Sequence, residues 1–302
     1  MPHANLAPHI HANVRAALDE DIGTLTPSLS QRERGTEYRD AVTSNADLTA
    51  QLIAEHTRAH ATVITREAAV ICGTLWFEDC FLTLDPDCKI VWKVQEGQVV
   101  EANQTLCEIH GDARAMLSAE RPALNFLQTL SAVATKTRRY AIATQGLNVK
   151  IMDTRKTLPG LRMAQKYAVK VGGGHNQRVG LFDGVLIKEN HIAAAGGISE
   201  VMEHAFQTTP PGVPIQIEVE TLAELDQALN AGAQLILLDN FSLADMRLAV
   251  THAVKRAELE ASGGITLENV RLVAETGVDR ISIGALTKDI EAIDLSMRID
   301  LP

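Results

Sequence analysis

Residues 152–162 read Met-Asp-Thr-Arg-Lys-Thr-Leu-Pro-Gly-Leu-Arg, residues 171–178 read Val-Gly-Gly-Gly-His-Asn-Gln-Arg, and residues 186–191 read Leu-Ile-Lys-Glu-Asn-His. Arg155 and Lys156 of the first segment and Lys188 of the third come at the ends of the largely apolar, β-branched runs Val149–Met152 and Val185–Ile187, where buried strands are predicted. A charged residue at the end of a buried strand costs free energy unless it has a partner or a use. We therefore predict strands whose charged ends carry the function.

The same stretch is positively charged, although the chain as a whole is acidic. Between Asp153 and His191 there are seven Lys/Arg against three Asp/Glu, so the segment carries 7 − 3 = +4, whereas the whole chain carries −10. Guanidinium groups bind carboxylate and phosphate oxygens bidentately, and lysine adds a point charge. We predict an anion site here, with Lys166 and Lys170, four residues apart, as the solvated face of a helix.

Beyond residue 145, strand-like runs alternate with helical stretches. The runs end at Arg155/Lys156, Lys188, Glu218, Asp239, Ser262 and Gly284. The last four ends are 239 − 218 = 21, 262 − 239 = 23 and 284 − 262 = 22 residues apart, about the length of a strand, a turn and a helix. In a β/α barrel the carboxyl ends of the strands form the rim that carries catalysis. The segment is too short for eight units, which predicts an α/β fold with an incomplete barrel.

The first part of the chain has a different sequence pattern. Short β-branched runs over residues 61–109 predict a small antiparallel sheet backed by a helix. We place an α+β sandwich domain over 1–124, including a polar, flexible loop over 23–45, and the barrel over 125–288. A long helix is predicted from Ser118, with Pro122 in its first turn, towards Ala143. Residues 289–302, with a final helix over Ile290–Met297, are a candidate addition to the first domain.

Composition excludes several classes of function. A net charge of −10 argues against general nucleic-acid binding, which needs broad phosphate neutralisation. The N-terminus shows no basic segment followed by an apolar run, so we expect neither a signal peptide nor a membrane anchor, and a cytoplasmic protein. The four cysteines lack metal-type spacing, and we expect buried reduced thiols.

The strand ends divide by charge, and the division suggests their ligands. Carboxylates at Glu218 and Asp239, without cysteine or histidine, suit a hard cation such as Mg²⁺ carried by a diphosphate. The loops Ser262-Gly263-Gly264 and Gly284-Ala285-Leu286 precede helices predicted to start near Thr266 and Thr287, and such loops bind terminal phosphates. For either loop taken singly, a tight turn remains the alternative.

The motifs Asp-Thr-Arg-Lys-Thr-x-Pro-Gly-x-Arg, Gly-Gly-Gly-x-Asn-x-Arg and Ile-Lys-Glu-Asn-His resemble those of the quinolinate phosphoribosyltransferases, over about residue 46 to the C-terminus. The resemblance implies a seven-stranded barrel. It also implies transfer of phosphoribosyl from phosphoribosyl pyrophosphate (PRPP) to quinolinate with decarboxylation, which gives nicotinate mononucleotide, pyrophosphate and CO₂ in de novo NAD biosynthesis, with Mg²⁺. The motif Glu-Arg-x-Ala-Leu-Asn-Phe implies a homodimer in which Arg121 reaches the partner's site, although from physics alone it is a surface arginine.

The resemblance also assigns site residues. The catalytic residues are Lys156, Lys188, Glu218 and Asp239, of which Glu218 and Asp239 are also the Mg²⁺ ligands. The substrate-binding residues are Arg121, Arg155, Arg162, Gln177, Arg178, Lys188, Glu218, Asp239, Ser262, Gly263, Gly264 and Gly284. Arg162 is either a site residue or a support for the preceding loop. Gln177 stands where the family commonly has histidine. An amide donates a hydrogen bond but cannot take up a proton and pass it on, so a binding role and no acid–base role is expected.

Two other functions remain open. A lysine at a barrel strand end can form a Schiff base, which would make the protein an aldolase-like lyase; this requires Lys188 to lie in an apolar pocket, whereas its surroundings in the sequence are charged. The other alternative is a relative outside NAD synthesis, such as the homologue associated with molybdenum transport.

Overall fold

The computed structural model describes residues 6–23 and 47–300. They form two compact units, one with the described residues up to Thr135 and from Glu291 onward, and the other with Lys136–Ile290. The division falls at 135/136, whereas the sequence placed the boundary at 124/125. Of the loop predicted over 23–45, only Gly23 is described, so that prediction lies outside the described residues. In the described ranges no helix is both long and apolar enough to cross a membrane.

The N-terminal unit is a mixed α and β layer structure. Its elements are α1 (Ala7–Ile22), β1 (Arg58–Thr65), β2 (Ala69–Val70), α2 (Thr74–Leu84), β3 (Lys89–Trp92), β4 (Val99–Val100), β5 (Thr105–Asp112), the start of α3 (Ala113–Ala143) and the last strand, β12 (Leu295–Asp300). The order β12-β1-β5-β3 makes an antiparallel sheet, and β2 pairs with β4. Burial alternates along β1, so one face of the sheet packs on the core and the other faces solvent.

Helices cover the buried face. Ile10, Val14 and Leu18, four residues apart, form the buried stripe of α1, which packs on α2, where Trp76 and Phe77 are fully buried. All four cysteines are buried and free, as predicted. Burial raises the pKa of each thiol, to about 11 for Cys88. The thiols are therefore packing residues rather than nucleophiles.

Two predicted helix positions were wrong. Helix α3 begins at Ala113, five residues before Ser118, because Asp112 accepts a hydrogen bond from the backbone N–H of Ala115 at 3.1 Å and so caps the helix. Pro122 therefore lies inside the helix, and the hydroxyl of Ser118 donates to Asp47 at 2.9 Å. The final helix predicted over Ile290–Met297 is instead strand β12, which pairs with β1.

The second unit alternates strands with helices, as the spacing of strand ends predicted. It contains the end of α3, then β6 (Lys150–Met152), α4 (Arg162–Val171), β7 (Val185–Ile187), α5 (Glu189–Ala195), α6 (Ile198–Thr208), β8 (Ile215–Val219), α7 (Leu222–Asn230), β9 (Leu235–Asp239), α8 (Leu243–Ala253), β10 (Glu258–Ser262), α9 (Val270–Ala274), β11 (Arg280–Ser282) and α10 (Ala285–Lys288). From β7 onward the connections have one to seven residues, whereas the loops before and after α4 are longer, over residues 153–161 and 172–184.

The strands form one parallel sheet in the order β6-β11-β10-β9-β8-β7. Beyond β6, Met152 makes an isolated parallel bridge with His175; the described residues thus form six parallel strands in this sheet, whereas the family resemblance implied seven. The result is the incomplete barrel predicted from the sequence. Because all strands run parallel, their carboxyl ends share one rim, where Asp239 lies opposite Ser262 and Met152 opposite Ser282.

Candidate active site

A cavity of about 200 Å³ lies at the carboxyl ends of the barrel strands. Its lining residues are Thr154, Arg155, Lys156, Gln177, Arg178, Leu186, Lys188, Gln216, Glu218, Leu237, Glu260, Ser262 and Ser282. Strand ends from across the sheet therefore contribute to one space, and cations and carboxylates meet there. This position is where β/α barrels place their active sites.

Two guanidinium groups face this cavity together. The Nε atom of Arg155 is buried and has no hydrogen-bond partner among the described residues. Burial, and then the positive charge of Arg155, lowers the pKa of Arg178. Arg178 is held in place because its Nη1 donates to the backbone oxygen of Gly184 at 2.9 Å. Two neighbouring guanidinium groups form a site for an anion that neutralises both charges.

Lys188 and Glu218 form an ion pair on neighbouring strands. The ammonium of Lys188 lies 3.2 Å from Oε1 and 3.1 Å from Oε2 of Glu218. The side chain of Glu218 is 11% exposed and that of Lys188 is 45% exposed, so the lysine reaches into the open part of the cavity. The backbone N–H of Lys188 donates to Nδ1 of His191 at 3.0 Å, which fixes the strand end. Lys188 does not lie in an apolar pocket, which is the surrounding that a Schiff-base lysine needs.

The inner end of the cavity is closed by a buried carboxylate and two amides. The Nε2 of Gln177 donates to both oxygens of Glu260, at 2.6 and 2.5 Å, and that of Gln216 donates to Oε2 of Glu260 at 3.1 Å. Glu260 is only 1% exposed. A buried carboxylate requires such donors, so the amide at Gln177 does the hydrogen-bonding work that an imidazole N–H can do.

A buried ion pair supports the loop that carries Gln177 and Arg178. Lys166 Nζ lies 2.5 Å from Asp153 Oδ1 and donates to the backbone oxygen of Gln177 at 2.9 Å. Asp153 also accepts from the backbone N–H of Gln177 at 2.8 Å. Burial raises the pKa of Asp153 to about 6, against the lowering effect of Lys166, and burial lowers the pKa of Lys166.

The prediction that Lys166 lies on a solvated helix face was therefore wrong. Its side chain is 1% exposed, because α4 turns this residue towards Asp153 and inward from the rim. For Lys170, which is exposed, the same prediction is confirmed. Spacing of four residues identified the shared helix but not which of the two lysines faces solvent.

Asp239 lies at the rim beside the cavity but is not among its lining residues. The amide of Asn240 donates to Asp239 Oδ2 at 2.8 Å. Gly263 packs tightly there: a Cβ would lie 2.1 Å from Asn240 Oδ1 and 3.1 Å from its backbone nitrogen, at a φ of +100°. Only glycine accommodates both the contact and the backbone conformation. Gly264 has a φ of +58° and open space around it.

The glycine of the second loop, Gly284, lies against the side chain of Lys156. A Cβ at Gly284 would lie 3.1 Å from Cδ of Lys156, so the glycine makes room for the lysine chain. The hydroxyl of Thr287 donates to the backbone oxygen of Lys156 at 2.7 Å. The helices after the two glycine loops start at Val270 and Ala285 rather than near Thr266 and Thr287, and both are short. An anion at these loops would therefore be bound by backbone N–H groups rather than by the dipole of a long helix.

Two predicted arginines lie elsewhere. Arg162 donates to the hydroxyl of Thr157 at 3.1 Å and to the backbone oxygen of Val179 at 3.1 Å, and it is not among the cavity-lining residues. Its geometry matches the loop-support alternative. Arg121 lies on α3 in the other unit, with a side chain that is 61% exposed and 3.9 Å from Glu120.

Sequence reasoning missed the inner layer of the cavity. Gln216 precedes Glu218 by two residues, Glu260 precedes Ser262 by two, and both inner side chains line the cavity with the outer ones. Alternation along a strand places residues two apart on the same face. Counting back by two from each polar strand end would have identified them.

Comparison with known proteins identifies the fold. The C-terminal domain model of quinolinate phosphoribosyl transferase matches residues 133–298, and the N-terminal domain model matches residues 47–131. The chain belongs to the quinolinate phosphoribosyltransferase family. Within this family it is 40% identical over 255 residues to the probable carboxylating nicotinate-nucleotide pyrophosphorylase of Bacillus subtilis (strain 168), covering 84% of this chain and 88% of that protein.

Two further relatives agree. The chain is 40% identical over 243 residues to the carboxylating nicotinate-nucleotide pyrophosphorylase of Mycobacterium leprae (strain TN), covering 78% of this chain and 84% of that one. The structure of the nicotinate-nucleotide pyrophosphorylase from Francisella tularensis superimposes with a TM-score of 0.87 at 41% identity, over 97% of this chain and 96% of that one. The family resemblance of the motifs and the two-domain α/β architecture are confirmed.

Proposed function

We propose that this protein transfers the phosphoribosyl group of PRPP to quinolinate and releases CO₂, giving nicotinate mononucleotide and pyrophosphate in de novo NAD biosynthesis. The observation that carries the proposal is the pair Arg155 and Arg178 in one cavity, with a buried Arg155 Nε that lacks a protein partner. A dicarboxylate such as quinolinate supplies the two anionic groups that this pair needs.

The quinolinate site is built from the cations of the rim. In the proposed complex, Arg155, Arg178 and Lys188 bind the two carboxylates, together with the partner subunit's Arg121 in a homodimer whose sites are shared between subunits. The exposure of Arg121, 61% of its side chain, suits a residue that acts outside its own unit. Gln177 completes the inner end of the site by keeping Glu260 hydrogen-bonded. Arg162 keeps the loop over residues 155–157 in place.

The PRPP site occupies the other half of the rim. Glu218 and Asp239 are assigned to the ribose hydroxyls and to Mg²⁺, for which carboxylate oxygens on neighbouring strands are suitable donors. The ion would screen the charge of the diphosphate that it accompanies. Lys156 and Lys188 face the leaving diphosphate, and Ser262, Gly263, Gly264 and Gly284 hold the 5′-phosphate through a hydroxyl and backbone amides.

The reaction asks the protein to orient two anions and to neutralise their charge. The pyridine nitrogen forms a bond to the anomeric carbon while the bond from that carbon to the diphosphate oxygen breaks, and both bonds are partial in an oxocarbenium-like transition state. As CO₂ leaves, the electron pair of the bond between C2 and its carboxylate stays on C2, where the adjacent positive nitrogen stabilises it, and C2 then takes a proton from solvent. Cations fixed by packing and backbone hydrogen bonds lower the barrier because they need no reorganisation.

Release of labelled CO₂ tests this function. Quinolinate labelled in the 2-carboxylate is incubated with the purified protein, with and without PRPP and Mg²⁺. The proposal expects label release only when PRPP is present, with stimulation by Mg²⁺ and stoichiometric pyrophosphate. Folded protein that releases no label under these conditions contradicts the proposal, and trapping of a keto substrate on Lys188 by borohydride would instead support the lyase.

Mixing two inactive variants tests the shared site. Arg121→Ala and Lys188→Ala each disable one contribution, and in mixed dimers one of the two sites receives an intact Arg121 and an intact Lys188. Partial recovery of activity after subunit exchange is expected. No recovery, in a mixture that demonstrably contains mixed dimers, would remove Arg121 from the site. We also propose a cytoplasmic location, which the four buried free thiols support because disulfides are rare in that compartment.

A further inference from the structure

The exposed face of the N-terminal sheet carries a group of side chains that the proposed reaction does not use. His60 lies on β1 directly opposite His110 on β5, and Glu108 lies two residues before His110 on the same strand. Residues two apart on a strand and residues directly opposite one another point to the same face. The three side chains therefore converge on one spot of the sheet surface.

The distances between the three side chains suit a metal ion. One nitrogen of each imidazole and one carboxylate oxygen all lie within 4.8 Å of one another. The two imidazole rings are stacked, with centroids 4.5 Å apart and planes inclined by 28°. Ligands at about 2.1 Å from a tetrahedral zinc ion lie about 3.4 Å apart, so modest side-chain rotations are enough to bring the three atoms onto one ion.

We propose that His60, Glu108 and His110 bind a divalent transition-metal ion, Zn²⁺ in preference to Mg²⁺, on the exposed face of the N-terminal sheet. Two imidazoles and one carboxylate form a donor set that zinc accepts, whereas Mg²⁺ requires oxygen ligands. The ion joins two strands and leaves coordination positions open to water. This site therefore differs from the pair Glu218 and Asp239, which has only oxygen donors.

Lys93 is the competitor for this site. Its ammonium lies 3.0 Å from Glu108 Oε2, on the carboxylate that the metal ion would bind. No described residue is hydrogen-bonded to either imidazole ring. A metal ion therefore has to displace only this one exposed ion pair. Exposed ion pairs contribute little free energy, so the competition is weak.

Metal titration of the untagged full-length protein tests the proposal. Zn²⁺ binding is followed by calorimetry in excess Mg²⁺, Co²⁺ binding by visible absorption, and thermal unfolding is recorded with and without Zn²⁺. We expect one saturable site whose occupation raises the melting temperature. In His60→Ala and in His110→Ala the affinity should fall by at least about tenfold, the smallest loss expected even for an outer-shell partner.

Two variants make the test specific. His204→Ala removes an exposed histidine of helix α6 and should leave zinc affinity unchanged. Lys93→Met removes the competitor and should tighten binding by up to about fivefold, as expected for an exposed ion pair. The proposal is overturned if no saturable binding occurs, if the His60 and His110 variants bind as the wild type does, or if Lys93→Met binds more weakly than wild type. Circular dichroism of each variant confirms that its fold is intact.

Discussion

Replacing Lys166 by Met should destabilise the barrel unit strongly, although the ammonium of Lys166 contacts no side chain that lines the cavity. The substitution keeps a long apolar chain and removes only the ammonium. Asp153, which is fully buried, would lose the cation 2.5 Å from its carboxylate and keep the backbone N–H of Gln177 as a donor. Breaking a buried pair on one side costs about 3–5 kcal/mol, because an uncompensated charge remains.

The expected change in melting temperature follows from the size of the unit. For a unit of 150–250 residues about 1 kcal/mol corresponds to roughly 2–4 °C, so the variant should melt about 6–20 °C lower. The matched control is Lys170→Met, on the same helix but exposed, which should change stability by less than about 0.5 kcal/mol. Equal effects of the two substitutions, measured by calorimetry or urea unfolding, would refute the assignment of Lys166 as a buried charge partner.

The loss of stability in Lys166→Met should depend on pH. Burial already raises the pKa of Asp153 to about 6 beside Lys166, and loss of the ammonium raises it further. A carboxyl whose pKa is raised in the folded state is neutral at low pH and destabilises the fold as pH rises through its folded pKa. The variant should therefore lose more stability at about pH 8 than at about pH 5 relative to wild type. A larger loss at the lower pH contradicts the account.

Two further substitutions address the rim. Gly263→Ala should cost about 1–3 kcal/mol and weaken PRPP binding, because its Cβ meets Asn240 at a φ of +100°. Gly264→Ala, with open space around it, should cost less, and equal losses in PRPP titrations and urea unfolding would contradict the packing argument. Gln177→Leu removes a donor from buried Glu260 and should cost about 1–3 kcal/mol, whereas Gln177→His keeps an N–H and should retain quinolinate binding. A histidine variant as weak as the leucine variant would show that the amide has another role.

The sequence predicted the outer layer of the site because charged residues end apolar runs. Arg155, Lys156, Lys188 and Glu218 were placed at strand ends from this pattern, and the structure brings them to one cavity. Glu260 was missed because it lies inside a strand, where a carboxylate is unexpected without its partners Gln177 and Gln216. Those partners come from distant positions in the chain, so only the folded sheet shows that the charge is compensated.

Element boundaries were harder to predict where the chain's local preferences and its tertiary contacts differ. Pro122 is typical of a first helical turn, yet α3 begins nine residues earlier, at Ala113, where Asp112 provides the cap. The residues of β12, Leu295–Asp300, alternate apolar and polar side chains, which is a strand pattern that the helix predicted over Ile290–Met297 overlooked. What local spacing does not show is the partner strand, β1.

Equilibrium binding of quinolinate tests most directly whether the cationic rim holds a dicarboxylate. Titration of the wild-type protein with quinolinate and with nicotinate, which lacks the 2-carboxylate, should show clearly tighter binding of quinolinate. Arg155→Met and Arg178→Met, each with circular dichroism like that of wild type, should abolish this preference. If both variants bind quinolinate as tightly as wild type does, the two arginines are not the anion site and the account of the cavity is wrong.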